Sequence, residues 1–158
     1  MIQVLNQSLP LQKDALQKEI SHSILASAYA EKSDWEKAIP HLKAIQKNRL
    51  GEYKTEESTI LMILGNCYLK TGNATEAGKA FSASLALEPA LYESNLGRFE
   101  ACLLALQDPE VQNNPAQKAA FENQARKDFL ILKQAPRMIR RFPSHENKTL
   151  DVSTLKVP

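Results

Sequence analysis

The sequence predicts an all-α protein of about six helices in three antiparallel hairpins, on three observations. It holds only five Gly among 158 residues. It has no alternating Val/Ile/Thr run of the kind a half-buried strand needs. Its apolar residues recur at intervals of three and four, the period of one helix face. The length fits one globular domain or a short repeat array. A hydrophobic content of 43% is too high for wholesale disorder. No uninterrupted apolar run approaches the ~18 residues that cross a bilayer, so membrane insertion is not expected.

The first helix is expected to begin near Pro10, whose fixed φ suits a first turn, and to run through Leu16, Ile20, Ile24, Leu25 and Ala28 to about Lys32. Ser33-Asp34-Trp35-Glu36 reads as a capping box opening a second helix, with Trp35, Ala38, Ile39, Leu42 and Ile45 on one side. Pro40 removes a backbone donor about one turn in, which predicts a kink rather than a break. The third helix spans roughly Thr55 to Lys70 on an apolar face of Ile60, Leu61, Leu64, Gly65, Tyr68 and Leu69, with Gly72 placed to end it. Asn73 then caps a fourth, carrying Ala77, Ala80, Phe81 and Leu85 and stopped by Pro89. Tyr92, Leu96, Phe99, Leu103 and Leu106 form the stripe of a fifth. Gln107 to Pro115 has no periodicity and reads as a loop, and Ala116 to Gln134 reads as the sixth helix through Phe121, Ala125, Phe129 and Leu132.

Twenty Lys plus Arg against 18 Asp plus Glu is too even a balance to imply nucleic acid or an anionic membrane. The imbalance sits at the end. Arg137 to Pro158 holds five basic residues against two acidic ones, so 137–158 reads as a basic, flexible tail following a helical domain over 1–136. Cys67 and Cys102 fall inside helices and read as buried thiols rather than a disulfide framework. With no basic-then-apolar opening, a cytoplasmic location is the expectation.

The chain also repeats itself. Leu61, Leu64-Gly65, Tyr68, Gly72, Ala77, Phe81 and Pro89 are matched 39 residues earlier by Leu25-Ala26, Tyr29, Ala38 and Leu42. A looser third copy uses Leu96-Gly97, Ala125 and Phe129, with an insertion around 107–115 and Glu100 where the Tyr belongs. This pattern resembles the tetratricopeptide repeat, whose usual length is ~34 residues. The resemblance implies a right-handed superhelical stack of antiparallel helix hairpins, a tetratricopeptide-like α-solenoid, with hairpins at about 10–49, 54–88 and 91–134. The physical logic is independent of the name: Ala26, Gly65, Ala38 and Ala77 allow helices to cross closely, while Tyr29, Tyr68, Leu42 and Phe81 fill the gaps. The ends of such a stack need covering, for which Met1, Ile2, Val4 and Leu5 at one end and Met138, Ile139 and Phe142 at the other are the candidates.

No catalytic site is expected. His22, His41 and His145 have no metal-spaced partners, which argues against zinc, and His22 reads as a packing or capping residue. There is no Gly-rich phosphate loop, no Gly-x-Ser-x-Gly elbow and no spaced carboxylate pair, so neither cofactor nor catalytic residue is assigned. The resemblance instead implies a concave groove lined by the first helices of the hairpins. It places Ser23, Ser27 and Glu31 there from the first repeat, and Met62, Asn66, Leu69 and Lys70 from the second. Asn66 has both a donor and an acceptor for a peptide backbone, and Met62 and Leu69 would add an apolar floor. Ser23, Ser27 and Glu93 stand against a carboxylate clamp of the kind some family members use. Met138, Arg140, Arg141 and Phe142 form a candidate secondary interface. The expected function is a non-enzymatic adaptor or scaffold that binds a protein or peptide, with no nucleic acid partner. A dedicated assembly or secretion chaperone, or a self-assembling module, is the alternative.

Overall fold

In the computed structural model, residues 1–48 and 54–134 are described. Among them the chain is helical throughout and has no strand: α1 (Ile2–Ser8), α2 (Ala15–Glu31), α3 (Trp35–Asn48), α4 (Lys54–Lys70), α5 (Ala74–Leu87), α6 (Tyr92–Ala105), α7 (Pro109–Gln112) and α8 (Pro115–Leu132). The six long helices are the six that the apolar spacing predicts. α1 and the single turn α7 are additions, the latter made inside the expected loop by Pro109 behind an Asp108 cap.

Two predicted starts are corrected. Pro10 lies in a 3₁₀ turn, Leu9–Leu11, and α2 begins only at Ala15. The carboxylate of Asp14 accepts from the Leu16 and Gln17 amides at 2.7 and 3.0 Å, which satisfies two of the otherwise orphan N–H groups; a proline at N1 only omits one. Ser33 does not open α3; it closes α2. Its N–H bonds to the Ala30 carbonyl and that of Asp34 to Tyr29, both at 2.9 Å, and Ser33 itself takes the left-handed φ of +58°. Gly72, at φ +77°, closes α4 by the same pair of bonds, to Leu69 and Tyr68. The two turns are therefore equivalent, and the Ser hydroxyl stands one residue too early to cap. Asn73 does cap α5, its side chain accepting from Glu76 N–H at 3.2 Å. α3 runs unbroken through Pro40.

Packing follows chain order. α2 lies on α3, α3 on α4, α4 on α5, α5 on α6, and α6 on α8, with α4 also touching α6 and α1 lying on α2. Phe81 is the centre of the main core: fully buried on α5, its ring fills the space left by Gly65 of α4 and Gly97 of α6. A Cβ on Gly65 would come within 2.8 Å of that ring, and one on Gly97 would come closer still. So Gly97 does for α6 what Gly65 does for α4. A smaller cluster of Phe99, Cys102 and Ala125, with Phe121 and Phe129 against it, joins α6 to α8. Beside it Arg98 forks onto Asp128, with Nε donating to Oδ2 at 3.0 Å and a terminal nitrogen to Oδ1 at 2.5 Å. Asp128 is fully buried and takes a third bond from Gln124.

Candidate functional site

α2 has two apolar sides, one buried and one open. Leu25, Ala26 and Ala28 go into the core, whereas Leu16, Ile20 and Ile24, each four residues on, stay 62%, 51% and 38% exposed. Four-residue spacing keeps these three on one side of the helix. Across from them stand Thr59, Ile60 and Ile63 of α4, and Leu42 and Ile45 of α3 close the floor with Ala26. The result is an open groove of about 440 Å³ between α2 and α4. Among the described residues that line it, the only charged ones are Glu19 and Glu56.

The residues assigned to a groove from sequence divide on this geometry. Ser23 lines it. Ser27, Asn66 and Lys70 are exposed and Leu69 is half-buried against the core. Glu31 instead borders a separate recess between α1 and α2, with Ile2 and Asn6. Met62 is buried in the core and does not line this groove. One wall is formed instead by Leu16, Ile20 and Ile24, which the sequence places at helical spacing in this helix. Met138, Arg140, Arg141, Phe142 and the rest of the tail lie outside the described residues.

Of the proposed end covers, Ile2 and Leu5 are half-buried while Met1 and Val4 remain exposed, and the Asn6 amide donates to the Tyr29 hydroxyl at 2.8 Å. At the far end Leu130 and Ile131 of α8 are exposed.

His22 and His41 look unrelated in sequence, yet the α2/α3 hairpin sets their Nδ1 atoms 2.9 Å apart. One ring must donate and the other accept, so the pair holds a single proton between them. His41 also stacks on Tyr29, ring centroids 5.6 Å apart. Burial lowers both pKa values, helped by Lys18 at His22 and by His22 at His41. Among the described residues no third His, Cys, Asp or Glu joins them to form a metal cluster.

Cys67 and Cys102 are free thiols. Both are buried; burial pushes Cys67 up, and burial with Asp128 alongside pushes Cys102 up to about 11. A recess of about 520 Å³ beside the α4–α5 turn is lined by Thr71, Asn73, Thr75, Gln107, Asp108 and Val111, which supply one carboxylate and no Lys, Arg or His.

No family model, curated protein or solved structure matches this chain. The residues themselves therefore carry the functional reading. No helix among the described residues is long and apolar enough to cross a membrane.

Proposed function

We propose that this chain is a non-enzymatic, tetratricopeptide-like binding module: a right-handed stack of three hairpins that takes a protein segment into the α2/α4 groove. The observation that carries it is the exposed Leu16, Ile20 and Ile24 stripe facing Ile60 and Ile63. Apolar side chains left in water beside an apolar wall gain by covering, at about 25 cal/mol per Å² buried. Three further observations support the family reading: the equivalent turns at Ser33 and Gly72, the matching Gly65 and Gly97 against one Phe, and helix pairs packed in chain order. An enzyme reading finds no support in the raised thiol pKa values or in the hydrogen-bonded histidine pair.

The test compares quantitative capture of partners by the unmodified chain and by a Leu16→Asp, Ile20→Asp variant. Both positions are exposed, so the variant should keep its circular dichroism spectrum while losing the partner. Retention of the same partner at the same level would move the site off this groove.

A further inference from the structure

His22 of α2 and His41 of α3 bring two imidazole nitrogens to 2.9 Å, and both rings are half-buried, so they stay within reach of solvent. In the hydrogen-bonded form one Nδ1 carries the proton and the other is bare. Moving that proton to Nε2 of the same ring changes the tautomer and not the charge. It leaves two bare Nδ1 atoms side by side, and neutral imidazole nitrogen is the commonest protein ligand for a metal ion.

The spacing selects the ion. Two metal–nitrogen bonds of about 2.0 Å place their nitrogens about 2.8 Å apart when they meet at the right angle of a tetragonal ion, and about 3.3 Å apart at the tetrahedral angle of zinc. The separation of 2.9 Å fits the right angle. Tetragonal nitrogen sites suit Cu(II) and Ni(II), and Cu(II) stands at the top of the affinity order for divalent ions of its row.

His41 is also held in place before an ion arrives. Tyr29 stacks on it with ring planes 10° apart, and the Tyr29 hydroxyl in turn accepts from the Asn6 amide at 2.8 Å. A ligand ring locked by its neighbours loses little freedom on binding. Lys18, four residues before His22, is the charge that opposes a cation here.

We propose that His22 and His41 form a two-nitrogen site for a tetragonal divalent transition ion, Cu(II) before Ni(II), with water in the remaining positions. The ion takes the place of the shared proton and ties α2 to α3. Neither histidine lines the α2/α4 groove, so this site stands or falls independently of the groove reading.

The experiment titrates the full chain with Cu(II) at about pH 7.5, where imidazole is largely neutral, and counts coordinated imidazoles by pulsed electron paramagnetic resonance at one ion per chain. Two are expected. The chain has three histidines in all, so a His145→Asn variant that still shows two imidazoles leaves only His22 and His41 to supply them. His22→Asn and His41→Asn should each show at most one imidazole from this pair and bind Cu(II) at least about tenfold more weakly, with circular dichroism confirming that they are folded. Should either variant fail to fold, the count in His145→Asn still decides. Fewer than two imidazoles in the unmodified chain, loss of one in His145→Asn, or unaltered affinity in a folded His22→Asn or His41→Asn variant would each overturn the site.

Discussion

Glycine has opposite value at two helical positions of this chain, and space alone decides which. Gly78 on α5 would present a Cβ to nothing within 4 Å, so Gly78→Ala should gain about 1 kcal/mol from helix propensity. Gly97 on α6 would drive a Cβ into the ring of the fully buried Phe81. There the same propensity gain is outweighed, and Gly97→Ala should cost about 1–3 kcal/mol of overpacking strain. Urea denaturation of the two variants checks the contrast; equal effects would mean the Phe81 ring is freer than its burial implies. Gly65 and Gly97 were legible in sequence as small residues in a repeat. Which ring they face was not, because the 15 residues between Gly65 and Phe81 cross a turn.

Two side-chain pairs fasten neighbouring helices to each other. The His22–His41 bond joins α2 to α3 and needs at least one neutral ring. Both folded pKa values lie below the ordinary 6.5, so the unfolded chain takes up acid more readily than the folded one. Their contribution is present above about pH 6.5 and is lost as pH falls through the depressed folded values. Chemical denaturation at about pH 7.5 and about pH 5.5 should show that loss, and a His41→Phe variant should show less of it. On α6 and α8 the Arg98–Asp128 fork is the stronger case, since Asp128 has no solvent to fall back on. Arg98→Ala should cost about 3–5 kcal/mol by leaving that carboxylate uncompensated, whereas Arg98→Met with Asp128→Leu should recover most of the loss. Thermal unfolding of both variants separates a lost pair from lost packing.

Across the whole molecule, the packing of the helices leaves one face of α2 uncovered, and this separates open groove from core. Leu16→Asp should shift the unfolding midpoint little, while Met62→Glu should abolish cooperative unfolding because it buries a charge in the main core. A near-normal midpoint for Met62→Glu, read from a denaturation curve, would return that residue to the surface. Only packing distinguishes these two apolar residues: Met62 is covered by its neighbours, and Leu16 lines the open α2/α4 groove.

Local chemistry was enough to determine the all-helical class, the six long helices, their order, the turn at Gly72 with its Asn73 cap, and the core residues of α5. Apolar period, proline, glycine and capping side chains act within a few residues, and their effect is written in adjacent positions. Three features depended on tertiary structure: the short α1 against Tyr29, the meeting of His22 with His41, and the division of α2 into a buried and an open side. Each of these depends on which helix comes to lie beside which. An apolar stripe states that a face avoids water; it does not say whether this chain or another will cover it.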